Sequence, residues 1–307
     1  MSALLSRLKK ALYMPEILKE EKVSLQYSFR KELLTQQALH SEEMGVSNQM
    51  LFDKEVVVSM ASYGTRVTSA YLAIESIMQQ SIKPNRIILC IPEDLKSQPL
   101  PELIQRQQKR GLEVLYNKDI WSFKKLIPAL RKYPEAIMIT CDDDCLYNVD
   151  FLENLLSSHK KDPKAIWGNR IHKITFDNKG NVDLYSNWEW EIPNTEESSK
   201  LFFITTVGGV LYPPHSLYED VTKEDIFMDI AKYNDDIWCY AMALLNGTKI
   251  RRSFTHSPKG MDYLSIEESR YDRLSLDNLA IGESRNDRIF RTVIDYYHLY
   301  DMIKAKL

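Results

Sequence analysis

The sequence predicts an α/β fold in which a mixed, mostly parallel sheet is flanked by helices, with a helical extension at each end of the chain. Three observations carry this. Short β-branched runs alternate with segments of helical apolar spacing between residues 54 and 140. A polar cluster follows several of those runs. Both chain ends are helix-prone and carry no strand signal.

Residues 1 to about 50 are polar and helical in pattern, and "LHSEEMGVSNQ" closes them as a loop. "KEVVVSMASYGTR" reads as a buried strand entering a turn, and "SAYLAIESIMQQ" as a helix with Tyr71, Leu72, Ile74, Ile77 and Met78 on its apolar positions. "NRIILCIPED" is a second strand, "PELIQRQQKRG" a helix closed by Gly111, and "LEVLYN" a third strand. "FKKLIPALRKYP" reads as a helix ending near Pro134, and "AIMITCDDD" as a fourth strand. Further on, "VDFLENLLSSHKK" is helical and "KAIWGNRI" extended. Residues 172–192 read as a hairpin turning at Asn178 to Asn181. "LFFITTVGGVLYPP" is one apolar strand broken at Gly208 and Gly209. "NDDIWCYAMALLNGTKI" is a helix with acids at its start and Gly247 at its end, and "KIRRSFTHSPKG" a short strand leading into a loop. The final "NDRIFRTVIDYYHLYDMIKAKL" is an amphipathic helix. The expected division is a helical extension over 1–50, an α/β domain over 51–260 and a helical segment over 261–307. Such a doubly wound sheet places its site at the carboxyl ends of its strands.

Composition narrows the chemistry. The chain has 307 residues, 44% apolar and 27% charged, with a net charge of -3, so nothing global argues for nucleic acid. The four cysteines (Cys90, Cys141, Cys145 and Cys239) are scattered without a paired motif, which suits reduced core thiols and a cytoplasmic protein rather than zinc or a disulfide scaffold. No run reaches the roughly 18 apolar residues of a spanning helix. At the N-terminus, Leu4, Leu5, Leu8, Ala11 and Leu12 share a helical face beside Arg7, Lys9 and Lys10. That face suits docking on the chain's own domain or on another copy of it, or peripheral contact with the inner face of a membrane.

The sharpest feature is "MITCDDDCLYN", three adjacent carboxylates at the end of an apolar run. They are either solvated or share a divalent cation. Mg²⁺ and Mn²⁺ choose carboxylate oxygens and complete their shells with water and phosphate, which implies a diphosphate ligand. In an extended segment Asp142 and Asp144 would face one side and Asp143 the other. Ser62 to Arg66 ("SYGTR") offers backbone N–H groups, an aromatic ring and a cation. Asp119 could accept from a ribose hydroxyl or a base, and Lys124 and Lys125 could reach phosphate.

Taken with "SMASYGTR", "SIMQQSIKPNRIIL", "GGVLYPP" and "NDDIW", the "CDDD" element resembles the Asp-x-Asp motif of GT-A glycosyltransferases, close to glycosyltransferase family 2 and bacterial surface-polysaccharide enzymes. The resemblance covers about residues 54–257 and makes 51–260 the catalytic domain. It implies Asp142 and Asp143 on the nucleotide side with Ser62, Tyr63, Arg66, Asp119 and Lys124. It implies Mn²⁺ or Mg²⁺ on Asp144 and Asp142, with His256 of "SFTHSP" completing the shell. Asp236 is implied as catalytic base. The family's usual Glu-Asp is here Asp235-Asp236, which leaves both as candidates, and no Gln-x-x-Arg-Trp motif is present. The function implied is inverting transfer of a sugar from a nucleotide-diphosphate donor, most often UDP in the family, to an oligosaccharide or lipid-linked glycan acceptor.

Other readings stay open. "SYGTR" also resembles the turn of sugar-phosphate nucleotidyltransferases, although the following helix lacks their Pro-Lys pair. A non-catalytic glycan- or nucleotide-binding module is the third. Asp235 and Asp236 could simply cap their helix. Trp188 and Trp190, two apart, could stack on a sugar or fill the core, with the core favoured. Trp121 and Trp238 suit packing equally well. Arg251 and Arg252 suit phosphate or a solvated strand end. His159, His172, His215 and His298 are read as ordinary surface or packed histidines.

Overall fold

The computed structural model describes residues 2–266 and 285–304, with the side chains of 2–17 and of Glu20 outside the description. The apolar N-terminal face expected from Leu4 to Leu12 therefore lies outside the described side chains. The chain opens with helix α1 (Ser2–His40) and then alternates: β1 (Val56–Ala61), α2 (Ala70–Met78), β2 (Arg86–Pro92), α3 (Glu102–Lys109), β3 (Leu112–Asn117), α4 (Ile127–Lys132) and β4 (Ile137–Thr140). A short β5 (Cys145–Tyr147), α5 (Phe151–Lys161), β6 (Ile166–Gly168), β7 (Ile171–Lys173), β8 (Phe202–Ile204) and β9 (Val210–Tyr212) follow. Then come α6 (Glu224–Ile230), α7 (Asp235–Leu245), β10 (Ile250–Arg252), β11 (Tyr263–Ser265), α8 (Arg285–Tyr296) and α9 (Tyr300–Lys304).

Seven strands form one sheet in the order β10-β6-β9-β4-β1-β2-β3. All neighbours run parallel except β9, which is antiparallel to both β4 and β6. The fold is thus α/β, with a mixed, mostly parallel sheet flanked by helices. Strands β1, β2 and β4 read as continuous apolar runs because both of their faces are covered. Val57, Ile88, Cys90 and Met138 join a core layer with Trp238 of α7 and Phe290, Val293 and Ile294 of α8. Val56, Val58, Met60, Leu89 and Ile139 join the opposite layer with Ile74 of α2, Ile104 of α3, Leu155 of α5 and Leu34 of α1. Between α2 and the end of α3 a buried bidentate pair, Arg110 on Glu75 at 2.9 and 3.0 Å, sets the two charges against each other.

Helix α1 docks by Tyr27, Leu34 and Ala38, while Leu18, Leu25 and Phe29 stay exposed. Among the described residues no helix is long and apolar enough to cross a membrane.

Several expectations change, and the final helix is divided into α8 and α9 and the run after α5 into β6 and β7 of different sheets. The apolar run 201–213 is two strands in different sheets, since β8 pairs with β7 and β9 with β4 and β6. The break falls at Gly209, whose φ of +89° only glycine adopts readily. The hairpin over 172–192 survives only as isolated bridges, Lys173 to Glu189 and Phe176 to Val182, while the other edge of β7 pairs with β8. The helix expected over 123–134 starts as a 3-10 turn, Trp121–Lys125, before α4. The antiparallel ribbon of β5 and β11 was not expected.

A Cβ at Gly209 would overlap the Phe151 ring. Gly209→Ala is therefore expected to destabilise the fold by about 1–3 kcal/mol, the range for overpacking, read as a lower urea midpoint with an unchanged slope.

Candidate functional site

A cleft of about 390 Å³ opens where β1 and β4 end, at the point where the strand order reverses. Its lining comes from the segments after β1 (Tyr63, Arg66), after β3 (Asp119, Trp121, Lys124, Lys125) and after β4 (Asp142, Asp143, Asp144), with Thr206 before β9 and Asp235 and Asp236 of α7. A second cavity, about 420 Å³, sits at the opposite strand ends beside Glu55, Arg86 and Leu112, where this sheet class does not gather its chemistry.

The three adjacent acids have internal partners. The chain turns at Asp143 and Asp144 instead of continuing extended, so strict alternation is lost. Asp143 and Asp144 share Arg66, whose Nη2 bonds Asp143 and lies 2.8 Å from Asp144. Asp142 turns to Lys125, whose Nζ is 2.8 Å from it and 3.3 Å from Asp235. Burial works against charge on Arg66, but Asp143 and Asp144 outweigh it and raise its pKa. Burial likewise opposes charge on Lys125, and Asp142, Asp235 and Asp236 hold its pKa well above the ordinary lysine value. Asp143 is itself raised by burial, with Arg66 pulling it back.

Tyr147 on β5 fixes the turn. Its hydroxyl accepts from the Asp142 N–H at 2.9 Å and donates to the Val207 carbonyl at 3.0 Å. Sequence reasoning missed this residue; its signal was a tyrosine on the short apolar run that follows the acids.

Asn234 caps α7 by accepting from the Ile237 N–H at 2.9 Å, so neither following acid is needed as the cap. Asp235 is buried against Lys125. Asp236 is more open and accepts the Thr206 N–H at 3.1 Å. Burial, reinforced by Asp235 and opposed by Lys125, pushes its pKa up to about 7.

Of the other expected site residues, Tyr63 faces the cleft with Arg66 and Lys124 over its ring at 5.4 and 6.0 Å. Asp119 accepts from Lys124 and from the Trp121 N–H at 3.1 Å. Ser62 is fully buried and does not line the cleft. His256 is not brought to the acids: its Nε2 lies 2.6 Å from Asp150, outside the cleft lining. Arg251 pairs with Asp162 at 3.1 Å and Arg252 is fully buried, so neither faces the cleft. Gly208 and Gly209 are needed by Arg170 and Phe151, which occupy the space of their missing Cβ atoms. Trp188 and Trp238 belong to the core, whereas Trp121 and Trp190 line the cleft. All four cysteines are free and buried.

Among the described residues no group of three or more His, Cys, Asp or Glu side chains is gathered to hold a metal. The cleft nevertheless suits a hard cation that brings its own phosphate ligands. Six carboxylates (Asp119, Asp142, Asp143, Asp144, Asp235 and Asp236) line it against four cationic side chains (Arg66, Lys124, Lys125 and Arg170), so acidic groups outnumber basic ones. Mg²⁺ and Mn²⁺ suit one or two carboxylates plus substrate phosphates, and Asp142 with Asp144 offers that number.

No protein-family model matches the chain, and no curated protein matches it. Among solved structures, it is similar to a mannosyltransferase from Pyrobaculum calidifontis in complex with GDP-Man and Mn²⁺, at 11% identity over 96% of this chain and 85% of that one, with a TM-score of 0.41. It is also similar to a CMP:2-keto-3-deoxy-manno-octonic acid synthetase complexed with CTP, at 15% identity over 65% of this chain and 89% of that one, with a TM-score of 0.36.

Proposed function

We propose that the chain is a metal-dependent GT-A glycosyltransferase that moves a sugar from a nucleotide-diphosphate donor to a hydroxyl of a glycan acceptor with inversion. The observation that carries this reading is the difference between two adjacent acids: Asp235 is buried 3.3 Å from Lys125 Nζ, whereas Asp236 is half-buried and lines the cleft beside the triplet. A general base needs access and a pKa near the working pH, and Asp236 meets both conditions.

In this reading Tyr63, Asp119 and Lys124 hold the nucleotide with Asp142 and Asp143, and Arg66 orients the diphosphate. Asp142 and Asp144 hold Mn²⁺ or Mg²⁺, which when bound offsets charge on the departing diphosphate. Asp236 takes the proton of the acceptor hydroxyl. That oxygen bonds to the anomeric carbon from the face opposite the donor's C–O bond, and the nucleoside diphosphate leaves with the bonding pair. UDP-sugar is the first donor to try, and an oligosaccharide or lipid-linked glycan of bacterial surface-polysaccharide synthesis is the acceptor class. The chain's location at the inner face of a membrane belongs to the same proposal.

Product analysis tests the reaction. Release of nucleoside diphosphate is expected, and release of pyrophosphate would assign a nucleotidyltransferase instead. A thermal-shift screen tests the site: UDP, GDP or CDP should raise Tm only with Mn²⁺, by about 2.7 kcal/mol of linked stability at 100 times Kd, and Asp144→Ala should remove the metal-dependent part.

A further inference from the structure

Across the cleft from the nucleotide-binding end stands an aromatic group that the transfer reaction, as described, does not use. Trp190 keeps 42% of its surface exposed, against 4% for Trp188. Its indole leans on the His172 ring at 4.6 Å, meets Tyr185 edge-on at 5.2 Å, has the Arg170 guanidinium over its ring at 5.9 Å, and donates its Nε1–H to the Tyr185 carbonyl at 3.1 Å. His172 is fully buried, and burial together with Arg170 lowers its pKa to about 3, so a neutral ring backs the indole.

The backbone is bent to hold this arrangement. Glu191 has φ +54°, a left-handed conformation that costs a side-chain-bearing residue about 1–2 kcal/mol. Strain of this kind collects at ligand sites. It is held by the Glu191 N–H donating to His172 Nδ1 at 3.0 Å and by Arg170 Nη2 on the Glu191 carboxylate at 3.0 Å. Arg170 also donates to Thr205 Oγ1 at 3.2 Å, and the next residue, Thr206, donates its N–H to Asp236. One run of bonds therefore joins the indole's mount to the proposed base.

We infer that Trp190 is the acceptor platform: the C–H face of a neutral pyranose stacks on the exposed indole and presents a hydroxyl to Asp236. This deepens the transferase reading and rests on it. A sugar suits this end better than a nucleobase. Tyr63 and Asp119 follow β1 and β3 of the seven-stranded sheet, whereas Arg170 and Thr205 flank β7 and β8, which form a separate two-stranded sheet. Exposed aromatic faces with an adjacent polar handle suit ligands with one apolar side and one hydroxylated side.

The test is saturation-transfer NMR with a panel of neutral methyl pyranosides on the whole chain, run on wild type, Trp190→Ala and Trp190→Phe, beside the Mn²⁺–nucleotide thermal shift. Transfer to the ring C–H protons is expected from wild type, at least tenfold weaker in Trp190→Ala and within about threefold in Trp190→Phe, with the nucleotide shift unchanged in both. Equal transfer from Trp190→Ala, or none from wild type across the panel, overturns the platform. Pyranoside transfer that depends on Trp190, with no nucleotide shift at all, removes the transferase reading and leaves the sugar platform standing.

Discussion

Asp236→Asn is expected to cut turnover by about 10²–10⁴-fold, the usual contribution of a positioned base, and at the same time to make the metal-free protein more heat-stable above pH 7. The two effects share one cause. Burial and Asp235 raise the Asp236 pKa to about 7, well above the ordinary carboxylate value of about 3.9. Between those values the folded state keeps a proton that the unfolded chain has released. Stability therefore falls as pH rises through that window, and the cost is complete above pH 7. An amide carries no such cost, and its oxygen still accepts the Thr206 N–H. The Tm difference between variant and wild type in EDTA should be near zero at pH 4 and grow to several degrees at pH 8. A variant no more stable than wild type at pH 8 would mean that the carboxylate is not held at a cost; full retained turnover would remove Asp236 as base.

Lys125→Met is expected to have the largest effect on folding. The ammonium joins Asp142, on the turn after β4, to Asp235, at the start of α7, and also donates to Thr206 Oγ1 at 2.7 Å. Methionine fits the volume but leaves two carboxylates facing each other in a mostly dry setting. Removing one partner of a buried ion pair costs about 3–5 kcal/mol, and the 23% exposure of the Asp142 side chain places this case toward the lower end. Adding Asp235→Asn should recover part of the loss, because the second change deletes the stranded charge. Chemical denaturation of the two single variants and the double variant measures the coupling. Strict additivity would show that the ammonium does not bridge the two acids.

The alternation of strands and helices was legible because strands buried on both faces are written as unbroken apolar runs, as in "VVVSMA" and "IILCIP". The acid cluster, the "SYGTR" turn and the start of α7 were each legible as polar breaks at element ends, and the structure brings them to one cleft. What was hidden depends on partners distant in sequence. Lys125 was legible as a cation within reach of phosphate, but its link to Asp235 exists only after the whole domain has closed. Trp190 was indistinguishable from Trp188 by spacing, yet Trp188 is buried in the core and Trp190 is exposed on the cleft. The ribbon of β5 and β11 has three-residue strands, too short for any periodicity to register. His256 stood at the expected place in the linear order, but its loop carries it to Asp150.

Strand β9 lies between β4 and β6, although it is made after both. A chain that assembles β4 and β6 during synthesis holds a slot open between them until β9 is made. At about 5–20 residues per second, the forty or so residues from β6 to β9 take on the order of 2–8 s to synthesise, during which two strand edges lack their neighbour. Such edges are ready templates for pairing with another nascent chain. Expression at lower temperature or with a holdase chaperone should therefore raise soluble yield more than any substitution in the cleft.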